Sequence, residues 1–256
     1  MNRLPDIQVK TIFTPAPKKP VLVCGLPGSG YVGKLAADYL VSTFKAKKCL
    51  EFRSTTFPPH VNVDDEGRAQ VLKAELFFGE TGQGSDLLIF TADSQPTTST
   101  GEYELSESVL RAAKSMKAGL VFSLAAYITG NFTRERKVFG SATSLDLLPR
   151  LTENGVQIMK DGTISGMNGI VIGMAKLEGM DGISLLGETS GYLLDPAAAH
   201  AVLEAVGRIL GIKIDMTRIL EKAKEAQQVI GQIQSMSGQE IEESKGKTDT
   251  RPEYIG

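Results

Sequence analysis

The chain has little of the residues that build metal centres and disulfides. Its 256 residues contain no tryptophan, two cysteines and two histidines. With His60 and His200 as the only histidines, there are too few ligands for an ordinary zinc site. Cys24 and Cys49 each fall in or beside a predicted strand, and we expect both to be free thiols, as is usual in the cytoplasm. We therefore expect no metal and no cofactor.

The chain also lacks a basic excess and a long apolar run. It carries 28 Lys and Arg against 30 Asp and Glu, a net charge of −2, so its charge gives no basis for binding nucleic acid. No apolar stretch approaches the roughly 20 residues that a membrane-spanning helix needs. Residues 1–20 lack the basic-then-apolar order of a signal peptide. We expect a cytoplasmic protein with neither nucleic acid nor membrane as a partner.

What the chain does have is short apolar runs that alternate with helical patterns. Runs of this kind are typical of strands buried on both faces of a sheet. The predicted strands are 21–24, 49–52, 87–91, 120–124, 156–159 and 183–186, with 71–78 as a further strand at an edge. Helices are predicted over 33–44, 102–117 and 170–177, and another between an N-cap at Asp195 and a stop at Gly211. This alternation predicts an α/β domain, residues 1–214, with a mostly parallel sheet between helices.

The C-terminal part of the chain has a different composition. Residues 215–243 predict a helix whose apolar positions repeat at spacings of three and four: Ile219, Ala223, Ala226, Ile230 and Ile233. This helix packs either on its own domain or, as a heptad seam, against another subunit. Residues 244–256 form a polar, flexible tail that ends in Tyr254-Ile255-Gly256. Apolar side chains at the tip of such a tail predict a peptide that binds a partner, with its terminal carboxylate as one anchor.

A glycine-rich loop follows the first predicted strand. Gly28, Gly30 and Gly33 satisfy the dinucleotide pattern G-x-G-x-x-G, and Gly28 to Lys34 also fits the start of a phosphate-binding P-loop. The P-loop needs Ser or Thr after the lysine to hold magnesium, but this chain has Leu35 there. ATP or GTP hydrolysis is therefore not favoured.

The dinucleotide interpretation fits better but not fully. Glu51, near the end of the next strand, is about where an acid would bind a ribose, yet Gly25-Leu26-Pro27 separates the strand from the fingerprint. The alternative is a loop whose glycines let a helix start close against the sheet. That loop would still offer a candidate site for an anion or another ligand. Its residues are Gly28, Ser29, Gly30, Gly33 and Lys34.

No catalytic constellation stands out in the sequence. The nucleophile pattern G-x-S-x-G is absent. Glu188 and Asp195 could share a site, but turn chemistry and helix capping explain their positions more simply. We therefore expect a protein that is not an enzyme.

Several ordered segments resemble one known family. They are 28–40, 87–96, 102–105, 127–130, 137–143, 164–169, 185–192 and 195–199. Over about residues 20–230 the chain resembles archaeal proteasome assembly chaperones of the PAC type. The resemblance implies a three-layer α/β/α sandwich akin to nucleoside phosphorylases. It also implies a homo-oligomer that helps to assemble the proteasome core particle and has no established catalysis.

The resemblance also bears on the tail. Members of such families can carry a C-terminal tripeptide of the order hydrophobic–Tyr–any, which inserts between neighbouring proteasome α-subunits. Here Tyr254 is third from the end, Ile255 is penultimate and Glu253 precedes them. We expect a non-enzymatic chaperone-like protein that binds itself and the core α-subunits. The alternative is an enzyme or sensor that binds a nucleotide or nucleoside at loop 25–33.

Overall fold

The computed structural model of the chain describes residues 7–131 and 135–228. The strands are β1 Ile7–Thr11, β2 Val21–Gly25, β3 Lys47–Ser54, β4 Val61–Val63, β5 Ala69–Val71, β6 Ala74–Gly79, β7 Leu87–Ala92, β8 Leu120–Ile128, β9 Val138–Ala142, β10 Gln157–Ile158 and β11 Asp181–Thr189. The α-helices are α1 Val32–Thr43, α2 Ser99–Ser115, α3 Leu148–Thr152, α4 Met167–Leu177 and α5 Pro196–Leu210. None of the helices in these ranges is both long and apolar enough to cross a bilayer.

One nine-stranded sheet organises the fold. Its order is β1-β3-β6-β7-β2-β8-β11-β9-β10, and β4 and β5 form a separate hairpin. The central strands β7, β2, β8 and β11 are parallel neighbours. Outside them, β1, β3, β6 and β9 pair antiparallel. The parallel centre consists of the near-continuous apolar runs that predicted it, because both of its faces are buried.

Helices cover both faces of the sheet. Side chains of α1 and α5 pack with one face of the central strands in one core, while α2 and α4 pack with the other face in a second core. α5 begins and ends as its sequence predicts: the side chain of Asp195 accepts a hydrogen bond from Ala198 N at 3.0 Å, and Gly211 closes the helix at φ +66°. The predicted three-layer α/β/α sandwich is confirmed.

Two strand predictions need correction. The predicted strand 71–78 is two elements, because the hairpin ends at Val71 and two residues without regular structure, Leu72 and Lys73, separate it from β6. The prediction that it lies at an edge is wrong, since β6 lies between β3 and β7. One edge is β1, which the sequence analysis did not predict because four of its five residues are exposed and form no apolar run.

Both cysteines are free and buried. Cys24 lies in β2 and Cys49 in β3, and β7 and β6 separate those two strands. Burial raises the pKa of the Cys49 thiol to about 11, and burial also raises the pKa of Cys24 far above its ordinary value. Neither thiol is therefore a ready nucleophile.

The C-terminal helix starts by packing on its own domain. Residues 217–228 are helical, and Ile219 is 3% exposed within the same core as α1 and α5. Ala223 and Ala226 are half-buried on the same side. Ile230, Ile233 and the tail Tyr254-Ile255-Gly256 lie outside the described residues. Because Ile219 packs in the core of its own domain, it is not available for a heptad seam with another subunit.

Candidate functional site

A cleft of about 630 Å³ opens at the carboxyl edge of the parallel strands. After β2 the chain forms β3, β6 and β7 on one side of that strand and then crosses to β8 on the other side, which makes β2 the point where the connections change direction. Ligands of open α/β sheets bind at such points. The lining comes from the glycine loop, the ends of β8 and β11, α2 and the start of α4. Its residues are Leu26, Gly28, Ser29, Gly33, Gln95, Glu102, Ala125, Ala126, Tyr127, Ile128, Met159, Thr163, Ile164, Ser165, Gly166, Asn168 and Leu186.

Two glycines let α1 start directly against the sheet. A β-carbon at Gly33 would lie 2.0 Å from the carbonyl oxygen of Leu124, and one at Gly25 would lie 2.1 Å from the carbonyl oxygen of Gly33. Nonbonded atoms do not approach so closely, and a backbone oxygen cannot move away by a change of side-chain rotamer. These glycines therefore serve close packing of helix on strand, the structural interpretation of the loop.

Gly30 is held by the start of α5. It has φ +60°, and its carbonyl oxygen accepts a hydrogen bond from Asp195 N at 2.9 Å. The Asp195 carboxylate also accepts a hydrogen bond from Thr189 Oγ1 at 2.8 Å and forms a buried ion pair with Arg136 at 3.0 Å. Asp195 is thus a structural hub that joins the loop, β11 and α5.

Glu188 has a separate role from Asp195. One oxygen of its carboxylate accepts a hydrogen bond from the backbone N–H of Lys137 at 3.2 Å. Asp195 thus caps α5, whereas Glu188 binds the backbone at the start of β9. The two acids contact adjacent residues, Asp195 pairing with Arg136 and Glu188 accepting from Lys137 N.

The structure brings only part of the predicted ligand loop to the cleft. Gly28, Ser29 and Gly33 line it, whereas Gly30 and Lys34 do not. Lys34 instead lies on α1, where its ammonium group is 2.7 Å from the carboxylate of Asp38. The loop therefore reaches the cleft without the lysine that would neutralise a phosphate.

The acid proposed for a ribose lies elsewhere. Glu51 is on β3, and β7 and β6 separate that strand from β2. Its carboxylate is 2.8 Å from the guanidinium of Arg53 and 3.3 Å from the ammonium of Lys48. Burial opposes the ionised form of Glu51, but these two cations outweigh it and lower its pKa. Glu51 is a member of an ion-pair network and cannot bind a ribose beside the glycine loop.

Three polar residues of the cleft were missed in the sequence analysis. Gln95 donates from Nε2 to the carbonyl oxygen of Pro27 at 2.6 Å and accepts at Oε1 from Met167 N at 3.0 Å, so it ties the glycine loop to α4. Glu102 lies in the first turn of α2, and Asn168 in the first turn of α4. The three residues come from separate segments of the chain that meet only in the folded structure, so no local spacing identifies them.

Metal ligands do not cluster in the part of the chain that the structure describes. Residues 7–131 and 135–228 contain no group of three or more His, Cys, Asp and Glu side chains placed to hold an ion. His200 lies on α5, 3.8 Å from the carboxylate of Glu204.

A family model described as the PAC2 family matches residues 22–234. The chain belongs to the PAC2 family. The match spans the whole sheet from β2 onward and all the helices described above.

Relatives and solved structures agree with this membership. The chain is similar to the crystal structure of Pyrococcus furiosus PbaB, an archaeal proteasome activator, with TM-score 0.84 and 33% identity, over 90% of this chain and 99% of that one. It is also similar to Pyrococcus furiosus PbaA, an archaeal homolog of proteasome-assembly chaperone, with TM-score 0.73 and 29% identity, over 93% and 95%. An uncharacterized protein of Methanocaldococcus jannaschii, MJ1210, is 34% identical over 92% of each chain.

Proposed function

We propose that this PAC2 chain is a cytoplasmic, homo-oligomeric chaperone that binds α-subunits of the proteasome core and has no enzymatic activity. The observation that carries the proposal is the similarity to PbaB, an archaeal proteasome activator, over nearly the whole length of that protein. PbaA, a homolog of proteasome-assembly chaperone, supports the same direction. The structural hub at Asp195 and the close-packing glycines explain the conspicuous motifs without catalysis.

The C-terminal tail is the proposed contact with the α-subunits. Tyr254 and Ile255 stand at the end of a polar, charged segment and lie beyond the compact domain in the sequence. A short peptide with apolar side chains and a free carboxylate is suited to a pocket that captures a chain terminus. The tail would reach that pocket while the α/β domain stays outside it.

A binding experiment with two forms of the chain tests this proposal. Full-length protein and a form truncated after Lys247 are each mixed with recombinant proteasome α-subunits, and the co-purified fraction is measured. We expect the full chain to bind and the truncated form to bind at least tenfold more weakly. Equal binding would remove the tail from the mechanism, and no binding by either form would remove the chaperone assignment.

The α/β domain offers a surface for self-association. Large apolar side chains are exposed around the carboxyl edge of the sheet, at the end of β8, before α1 and in the segment between β11 and α5: Tyr31, Ile128, Tyr192, Leu193 and Leu194. Gly191 brings this loop against Ile128, since a β-carbon there would lie 3.1 Å from Ile128 Cγ2. Exposed apolar patches commonly mark protein interaction sites. We assign the second copy of the chain as the partner of this edge.

Mass in solution tests the self-association. Light scattering should give a multiple of the chain mass of 27.5 kDa. Leu194→Ser should shift the mass toward the monomer, whereas Leu177→Ser, at a more exposed leucine on α4, should not. A monomer for the unaltered chain would contradict the proposal.

A further inference from the structure

The hairpin of β4 and β5 has an exposed apolar face. Its cross-strand pairs place four apolar side chains on one side, because alternate residues of a strand point the same way: Val61, Val63, Ala69 and Val71. The three valines are 49%, 64% and 54% exposed, so no residue that the structure describes covers this face. A two-stranded hairpin without a packing partner is only marginally stable in water. A partner on the apolar face would therefore stabilise the hairpin.

The tip of the same hairpin is acidic. It contains three carboxylates and one guanidinium: Asp64, Asp65, Glu66 and Arg68. Asp64 holds the turn, since its Oδ1 accepts hydrogen bonds from the backbone N–H of Glu66 at 3.1 Å and of Arg68 at 2.9 Å. Arg68 in turn pairs with both of these acids, Asp64 and Glu66. Asp65 is left as an exposed carboxylate that pairs with no cation in the described part of the chain.

A hollow of about 300 Å³ lies where α1 ends and β3 begins. Three half-buried phenylalanines line it: Phe13, Phe44 and Phe78. Lys45 and Lys47 also line it, and both are exposed and form no ion pair with any residue in the ranges that the structure covers. Glu80 is the one acid among the described lining residues. The hollow is therefore apolar with a positive net charge, which complements the valines and the acidic tip of the hairpin.

The hairpin and the hollow lie at opposite ends of β3. This strand pairs antiparallel with β6, and β6 pairs antiparallel with β7, so β3 runs in the direction of the parallel strands. Its first residue, Lys47, and its last, Ser54, are about 23 Å apart at roughly 3.3 Å per residue. The hairpin follows Ser54 at the carboxyl edge, whereas the hollow is at the amino edge. A hairpin therefore meets such a hollow on a second copy of the chain and not on its own.

We propose that the β4–β5 hairpin of one copy docks in the amino-edge hollow of the next, with Val63 against the phenylalanine rings and Asp65 beside Lys45 and Lys47. The inference rests on the proposed self-association and gives it a second surface, distinct from the apolar side chains around Ile128. Because the two halves of the contact are different surfaces, the contact is head-to-tail and repeats from copy to copy until a ring closes.

Charge reversal with rescue tests the contact in the full-length chain, with sedimentation equilibrium as the measurement of self-association. Asp65→Lys and Lys47→Glu should each weaken association about tenfold, because each sets like charges against each other. The double variant Asp65→Lys with Lys47→Glu restores opposite charges across the contact and should associate as the unaltered chain does. Glu153→Lys makes the same change of charge at an exposed acid after α3, beside the β10 edge, and should have no effect.

A second pair of variants tests the apolar part of the contact. Val63→Ser should weaken association, whereas Leu145→Ser, at a leucine that is 83% exposed, should not. A circular dichroism melt confirms that all variants fold.

The proposal is overturned if the single charge reversals leave the association constant unchanged, or if the double variant associates no better than they do. In either case the proposed self-association stands and uses another surface. A monomeric unaltered chain would overturn both the hairpin contact and the proposed self-association.

Discussion

At the scale of single residues, the glycine loop is a packing device. Gly25 and Gly33 allow β2, α1 and β8 to meet at distances that no side chain permits. The spacing of glycines for such an approach overlaps with the dinucleotide fingerprint, because both need a helix to begin beside a strand. Sequence alone therefore could not separate the two interpretations. The structure separates them, because a β-carbon at Gly25 or Gly33 would lie within 2.1 Å of a backbone oxygen.

Gly33→Ala is expected to destabilise the fold strongly. Its β-carbon would meet the Leu124 carbonyl oxygen at 2.0 Å, so the helix or the strand would have to move. We expect a loss of about 3 kcal/mol or more, which outweighs the roughly 1 kcal/mol that alanine gains over glycine in a helix. Gly28→Ala is the control, since its nearest atoms lie at 4.0 Å and its φ of −172° suits any residue. Urea unfolding of both variants measures the difference, and equal stabilities would contradict the packing role.

Glu102 is expected to make stability depend on pH. Burial raises its pKa in the folded chain above the ordinary value of 4.5. As pH rises from 4.5 through the raised value, the unfolded chain loses this proton before the folded one, so stability falls. Glu102→Gln removes this loss and should melt at a higher temperature at neutral pH, with the advantage vanishing in acid. Glu107→Gln controls for the removal of one negative charge. A pH-independent difference would contradict the role of burial.

At the scale of elements, the strands and helices that are buried were predicted more accurately than those that are exposed. The central strands and α5 were predicted because full burial requires apolar runs and because Asp195, Pro196 and Gly211 mark the helix ends. β9 was missed since Gly140 interrupts its apolar character. A β-carbon there would lie 2.7 Å from Val156 Cγ1, a tertiary contact that no local pattern reveals. The exposed edge β1 was missed for the opposite reason, a lack of burial.

The helix of residues 217–228 gives a test at this scale. Ile219 is 3% exposed and Leu220 is 41% exposed. If the helix is part of its own domain, Ile219→Ala should cost about 2–5 kcal/mol of unfolding free energy through the cavity it leaves. The neighbouring Leu220→Ala should cost less than about 1 kcal/mol. Thermal unfolding at low protein concentration measures both. A small effect of Ile219→Ala there would place the helix outside the cooperative unit.

At the scale of the whole molecule, the family and fold could be predicted but the cleft could not. The family resemblance rests on ordered segments of the chain, and each segment is a short run of consecutive residues that can be recognised from the sequence. The cleft joins Gln95, Glu102 and Asn168 only after α2 packs on α4 and α4 packs on β8 and β11. Gln95 and Met167 are 72 positions apart in sequence. Sequence patterns predict elements well, whereas a site assembled between elements depends on the sheet order.

The proposed tail contact predicts that the order of the last three residues affects binding to proteasome α-subunits. The chain ends Tyr254-Ile255-Gly256, whereas the tripeptide that the family resemblance implies has tyrosine in the penultimate place. The double variant Tyr254→Ile with Ile255→Tyr restores that order and leaves length, charge and composition unchanged. We expect it to bind proteasome α-subunits roughly tenfold more tightly, a gain of about 1.4 kcal/mol. Surface plasmon resonance measures the dissociation constants, with the chain truncated after Lys247 as the baseline. If the double variant and the unaltered chain have the same dissociation constant, and both bind more tightly than the truncated chain, binding depends on the apolar residues of the tail and not on their order.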